Sequence, residues 1–197
     1  MRYFSLRMVY WIASKRYSMT TYVALLRGIN VGGNNKVEMK KLRAVFETLG
    51  FSNVTTYINS GNIIFTSDRK NTKSLVSDIE TAIQESFGFA VRVIVRDEKN
   101  IRTIEKAIPK EWSNDTKQRT DVLFLWEEYA KKSTLKLIVT NPDIDTLLYT
   151  GGAIVWHMSD RKHYSKSGLR KFISTEIYKH MTARNVNTLR KLTTLFP

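Results

Sequence analysis

Cysteine is absent from the 197 residues. That excludes disulfides, thiolate metal sites and a cysteine nucleophile, and it fits a reducing cytosol. No apolar run approaches the roughly 18 residues that suggest a membrane span. Histidine is scarce: His157, His163 and His180 are the only three, and none stands at metal-ligand spacing from another histidine or a carboxylate. Asp143 and Asp145 follow Pro142 without the rest of a calcium loop, so they read as a turn. Rossmann glycine spacing, the P-loop Gly-Lys-Ser/Thr ending and a Gly-x-Ser-x-Gly elbow are all missing. So is the aromatic signature of an RNA-recognition sheet. The expectation is a protein without metal or cofactor, and with catalytic residues undefined.

What is present is charge, unevenly placed. The net charge is +14. Residues 1–18 carry four basic residues and no acid, and residues 161–197 carry nine basic residues and one acid, Glu176. The stretch between holds 19 basic and 17 acidic residues. Attraction to a polyanion is therefore expected at the ends rather than over the whole surface. Residues 1–18 flank a short apolar stretch, Met8–Ala13, with cations. It is too short for a signal peptide and lacks a small-residue cleavage pattern. The expectation is an extension, non-native or disordered, ahead of a natural start at Met19. A basic helix lying on a membrane surface is the alternative.

From Tyr22 the chain reads clearly. Tyr22, Ala24 and Leu26 alternate with Val23 and Leu25, which predicts a central strand to about Ile29, covered on both faces. A helix is predicted from Asn35, with Glu38 at capping-box spacing, and it closes at Gly50. Val54–Ile58 and Ile63–Thr66 form a hairpin about Asn59-Ser60-Gly61-Asn62. A second helix starts near Asn71 and ends at Gly88, and Val91–Val95 is a strand. This order predicts the split βαβ arrangement of the ferredoxin-like fold, an α+β unit over residues 19–109. A helix from Asp97 is stopped by Pro109, and polar residues 110–120 read as a linker. Residues 121–197 read as a second, degenerate α+β unit. It has a strand at Asp121–Trp126, an ambiguous stretch at Glu127–Val139 and a hairpin about Gly151-Gly152. A helix from about Ser167 to His180 and a short last helix complete it. This second unit is expected to cover the open face of the first sheet.

Two stretches offer chemistry. The loop Gly28 to Asn35 lies between a strand and a helix start, where free N–H groups and the helix dipole can hold a phosphate or carboxylate, with Arg27 adding charge. A plain tight turn needing glycine is the competing reading. In the basic tail, Arg161, Lys162, Lys166, Arg170 and Lys171, with Lys179, Arg184, Arg190 and Lys191 beyond, stand near Tyr164 and Tyr178. Cations beside aromatics suit a nucleic-acid backbone, although a solvated basic helix face explains them too.

Three segments, Arg27-Gly28-Ile29-Asn30-Val31-Gly32-Gly33, Asn59-Ser60-Gly61-Asn62-Ile63-Ile64-Phe65 and Thr182-Ala183-Arg184-Asn185-Val186-Asn187-Thr188, together resemble domain-of-unknown-function family 1697, small bacterial proteins. The resemblance covers roughly Thr20 to Leu195. Val186 stands where that family usually has tryptophan, which weakens any role requiring an indole there. The resemblance implies two ferredoxin-like α+β units and no established activity, cofactor or catalytic residue.

The polar groups of these segments, Arg27, Gly28, Asn30, Gly32, Gly33, Asn59, Ser60, Asn62, Arg184, Asn185 and Asn187, are expected to form a cationic pocket for an anion if they converge. If they do not, they are independent turn and cap residues. The leading expectation is a cytosolic binding module for an anionic ligand, a nucleotide or RNA phosphate. Two alternatives stand beside it: an enzyme acting on a small anionic substrate by electrostatic stabilisation, and a protein-interaction domain.

Overall fold

Apolar side chains on both faces of Thr20–Leu26 (β1) require cover on both sides, and the fold supplies it from two different units. A computed structural model describes residues 18–33 and 35–197 of the chain. The expected extension therefore lies, but for Ser18, outside the described residues. β1 pairs antiparallel with β3 (Asn62–Ser67) and β4 (Val93–Asp97), and β2 (Ser52–Tyr57) pairs with β3. The resulting order is β2-β3-β1-β4. Helices α1 (Met39–Thr48) and α2 (Thr72–Phe87) cover the face carrying Tyr22, Ala24, Leu26, Ile63 and Phe65. This is the ferredoxin-like arrangement read from the sequence.

The second sheet repeats the order with β5 (Arg119–Leu125), β6 (Asp145–Thr150), β7 (Ala153–Met158) and β8 (Met181–Asn185), as β6-β7-β5-β8. Its crossovers are degenerate. The first is two 3₁₀ segments, Glu127–Tyr129 and Lys132–Leu137. The second is a 3₁₀ turn at Arg161–Lys166, the five-residue helix α4 (Gly168–Phe172) and a 3₁₀ turn at Ile177–His180. Two further helices follow the last strand of each sheet: α3 (Glu98–Ala107) after β4 and α5 (Val186–Thr194) after β8.

These two helices and both sheets share one layer. Val23, Leu25, Ile64 and Ile94 of the first sheet join Val122, Phe124, Ala153 and Val155 of the second, with Ile104 of α3 and Leu189 of α5. Full burial of each such side chain is worth about 1.5–3 kcal/mol. The second unit thus closes the face that α1 and α2 leave open.

Five assignments differ from the sequence reading, the first being that β1 ends at Leu26 and not at about Ile29. The first helix begins at Met39, not Asn35: Asn35 has φ +50°, and Glu38 supplies no capping hydrogen bond. The expected helix from Ser167 to His180 stops after one turn and a half. There the Ser174 and Thr175 hydroxyls donate back to the carbonyls of Lys171 and Phe172, at 2.7 Å each. Residues 181–185, which carried no strand signal, form an edge strand. The ambiguous stretch 127–139 settles as 3₁₀ turns. By contrast α2 matches closely, with Asn71 Oδ1 accepting from the N–H groups of Lys73 and Ser74 and Gly88 closing it at φ +81°.

Candidate functional site: the loop cluster at the end of β1

Beyond Leu26 the chain leaves the sheet, and here the three polar segments meet. Arg184, on β8, reaches across from the other sheet. Its Nε donates to Asn62 Oδ1 at 2.5 Å, and its Nη1 donates to Thr182 Oγ1 at 2.9 Å and the Ala183 carbonyl at 2.7 Å. Its Nη2 donates to the carbonyls of Leu26, Ser60 and Gly61 at 2.8, 2.9 and 3.1 Å. Asn62, itself buried, donates to the Tyr57 carbonyl and to Ser60 Oγ.

The expected convergence of segments far apart in sequence is therefore present, but it is filled. Arg184 is buried, its acceptors are all neutral, and burial pulls its pKa down to about 10, which leaves it charged at neutral pH. With its N–H groups spent on the protein, it joins two sheets rather than offering donors to a ligand. That corrects its expected place in an anion pocket. Arg27 is half-engaged in the same way: Nη1 donates to the Met181 carbonyl, and the guanidinium lies 5.1 Å over the Tyr178 ring.

The loop beside this hub is open. Gly28, Asn30, Gly32, Gly33 and Asn35 all have positive φ, between 50° and 82°. The Asn30 N–H is spent within the loop, on the Asn35 carbonyl at 3.1 Å, while Gly32 and Gly33 are exposed. Asn30 staples the loop. Its Oδ1 accepts from the Val37 N–H at 2.9 Å, and its Nδ2 donates to the Val37 and Asn59 carbonyls at 3.0 and 2.9 Å. Asn35 Nδ2 donates to the Gly28 carbonyl.

The chain then enters α1 through Lys36, Val37 and Glu38. With no side-chain cap there, the first-turn N–H groups of α1 keep their partial positive charge uncovered. A depression of about 520 Å³ lies at this point, lined in part by Asn30, Gly33, Lys36, Glu38, Lys40 and Asn59. Two lysines against one glutamate leave it net cationic.

Strain marks the rim. Ile58, just before Asn59, has φ +49°. A β-branched residue there is a genuine outlier costing about 1–3 kcal/mol, and such outliers cluster at functional sites. Ile58 is also 49% exposed, and Val31, next to Asn30, is 68% exposed. Two aliphatic side chains thus stand in water on either side of the Asn30–Asn59 hydrogen bond. Sequence reasoning missed Val31, Lys36, Lys40 and Ile58. The lysines carried a signal, two cations four apart at a helix start; a strained isoleucine carried none.

The other expected residues lie elsewhere. Asn185 Oδ1 accepts from the Thr188 N–H and caps α5, while Asn187 Nδ2 donates to the Asn114 carbonyl. Arg161 ties down the 110–118 segment through Asn114 Oδ1 and the Asp115 carbonyl, both at 2.9 Å. Lys162, Lys166, Arg170 and Lys171 are exposed and form no salt bridge among the described residues. The tail tyrosines are already occupied: Arg27 covers Tyr178, and Arg119 covers Tyr164 at 4.7 Å.

His157 is a packed side chain. It stacks on Trp112 at 4.2 Å with an interplanar angle of 4°, and its Nδ1 meets Thr120 Oγ1 at 2.9 Å. Burial lowers its pKa, with Glu111 pulling the other way. Asp145, read as part of a turn, instead opens β6 and is buried. It accepts from Trp156 Nε1, Ser167 Oγ and the N–H groups of Asn141 and Gly168. No group of three or more histidines and acids able to hold a metal occurs among the described residues. No helix among them is long and apolar enough to cross a membrane.

A family model described as "Protein of unknown function (DUF1697)" matches residues 19–156. No curated protein matches the chain. Among solved structures, it is similar to a conserved bacterial protein from Streptococcus pneumoniae. The two share 32% identity at a TM-score of 0.78, over 90% of this chain and 99% of that one.

Proposed function

The chain belongs to the DUF1697 family of proteins of unknown function, and on that premise we propose that it is a cytosolic binding module for an anionic, phosphate-bearing ligand. The ligand class is a nucleotide or an RNA phosphate. The observation that carries this reading is the uncapped start of α1 at a depression between Lys36 and Lys40, beside the exposed glycines Gly32 and Gly33. A helix N-terminus with adjacent cations favours phosphate. Val31 and Ile58, exposed and next in the chain to the lining residues Asn30 and Asn59, are the apolar side chains we assign to a nucleobase.

The test is a thermal-shift and calorimetric titration of the full chain with adenosine, adenosine monophosphate and inorganic phosphate. A ligand bound only by the native state raises its stability. Nucleoside phosphate is expected to stabilise saturably, adenosine not at all, and Lys36→Glu with Lys40→Glu to abolish the effect. An undiminished response in that double variant refutes the site.

A second reading concerns polyanions. Lys162, Lys166, Arg170 and Lys171 form a run of exposed cations without salt-bridge partners among the described residues. Retention on heparin that falls steeply with salt is expected of it, since phosphate neutralisation releases counterions. Elution below physiological ionic strength removes the idea.

A further inference from the structure

A second concavity lies at the far side of the second unit, between the 3₁₀ segment Lys132–Leu137 with the chain after it and the turn entering α4. Its volume is about 610 Å³, within the roughly 300–1,000 Å³ typical of small-molecule sites. Its walls combine two features seldom left together in water. Leu137 and Val139 are 60% and 83% exposed, while Ile138 between them is buried. Lys166 and Lys171 stand in the same wall, and no acidic residue lines it. By contrast, the depressions at Asp97–Lys106, at Val93–Glu128 and at the start of α1 each include a glutamate.

The apolar wall is fixed in place. A Cβ added at Gly168 would lie 2.4 Å from the Val139 carbonyl oxygen and 2.8 Å from Thr140 Cα, so the 139–140 backbone is pressed onto the start of α4. Asn141 Nδ2 donates to the Lys166 carbonyl at 3.3 Å, and the Asn141 N–H donates to Asp145 Oδ2 at 2.8 Å. Val139 therefore cannot withdraw its side chain from water without breaking this packing. Behind the wall, the Asp145 carboxylate receives four hydrogen bonds, from Asn141, Trp156, Ser167 and Gly168. Its oxygens are committed there, which leaves Lys166 and Lys171 to set the charge of the opening.

We infer that this groove binds an amphiphilic anion, a single carboxylate or phosphate head on an unbranched aliphatic tail, with the head between Lys166 and Lys171 and the tail over Leu137 and Val139. Apolar burial supplies affinity and the two ammonium groups select the sign of the head. The site is separate from the depression at Lys36 and Lys40 and stands independently of the reading given to it.

The test is a titration of the full chain, by calorimetry and by amide chemical shifts, with octanoate, octyl phosphate, neutral octyl glucoside and inorganic phosphate. Saturable binding is expected for octanoate, octyl phosphate or both, and which of them binds identifies the head. Shifts are expected at Val139, Gly168 and Lys171. The neutral amphiphile and tail-less phosphate are expected to bind at least about tenfold more weakly. Lys166→Glu with Lys171→Glu, and separately Val139→Ser, each lower affinity about tenfold, whereas Lys36→Glu with Lys40→Glu leaves it unchanged. All five positions are exposed, so the variants fold. The inference is overturned if neither anion saturates, if octyl glucoside binds equally well, or if the shifts map elsewhere. It is also overturned if the chain sediments as a dimer that Val139→Ser dissociates, since a second copy then fills the groove.

Discussion

Arg184 Nε donates to Asn62 Oδ1 at 2.5 Å across the junction of the two sheets, joining residues 122 positions apart. No acid partners the Arg184 guanidinium, yet both side chains are buried. The bond is held because the carbonyls of Leu26, Ser60 and Gly61 turn toward the same guanidinium. The carbonyls of a turn and of a strand end in one sheet are thus bonded by a single residue of the other.

Removing this donor strips Asn62 Oδ1 and the Ser60 carbonyl of it, each a desolvation loss of about 1–3 kcal/mol before relaxation, while the Gly61 and Leu26 carbonyls keep the Leu26 N–H and the Thr182 hydroxyl respectively. Arg184→Met keeps most of the aliphatic length and is expected to destabilise by about 2–4 kcal/mol in urea unfolding. Arg184→Lys recovers part of this and no more, because one ammonium cannot address acceptors spread over a planar fork. A loss within about 0.5 kcal/mol for Arg184→Met would mean that water replaces the guanidinium freely.

The stack of His157 on Trp112 gives the chain a pH dependence near neutrality. Burial lowers the folded-state pKa of His157 below its ordinary 6.5, so the unfolded chain binds more protons in that range. Stability is therefore complete above about pH 6.5 and falls as the pH drops through the folded value. His157→Phe keeps an aromatic face against Trp112 but strands the Thr120 hydroxyl, at a cost of about 1 kcal/mol. Urea midpoints at about pH 5 and pH 7.5 are expected to differ more for the native chain than for this variant.

Asp145 works at lower pH and by a different balance. Burial would raise its pKa, but hydrogen bonds from Ser167, Trp156, Asn141 and Gly168 outweigh burial and lower it. The native state thus holds fewer protons than the unfolded chain in the carboxylate range. The stability it supplies is present above the unfolded value near 3.9 and is lost as the pH falls through the lower folded one. Asp145→Asn is expected to cost about 2–3 kcal/mol at neutral pH, since a charged acceptor is replaced by a neutral one with fewer lone pairs to give. It is also expected to flatten the acid limb of the unfolding curve. An unchanged acid limb in that variant would assign the sensitivity to other carboxylates.

How much of this was visible in the chain depends on distance along it. β1 with its two apolar faces, the Gly61 and Gly151-Gly152 hairpins, and α2 with Asn71 and Gly88 at its ends are set by neighbours within a few residues, and they were legible. The start of α1 was not. Asn35 and Glu38 have capping spacing, but Asn30 claims the Val37 N–H and holds residues 30–37 as a loop. Met181–Asn185 carried no strand pattern because Arg184 points inward as a polar hub, where alternation would ask for an apolar residue. Convergence of the three segments was one of two readings the chain allowed; that a buried guanidinium joins them, with Asn185 and Asn187 spent elsewhere, was not legible. Side-chain identity does not reveal whether an arginine's donors are spent.

Ile58 separates structural need from function. Its φ of +49° carries strain that glycine would not, and its side chain is half in water, so little packing is lost with it. Ile58→Gly is expected to raise stability by about 1 kcal/mol, net of the entropy glycine adds to the unfolded chain. Ile58 precedes Asn59, which lines the Lys36–Lys40 depression. If the depression takes a nucleoside phosphate, the same variant is expected to bind it several-fold more weakly while melting higher, the trade-off common where strained residues serve a site. Should Ile58→Gly lower the melting temperature, the isoleucine is a packing residue of the β2–β3 turn, and its strain says nothing about a ligand.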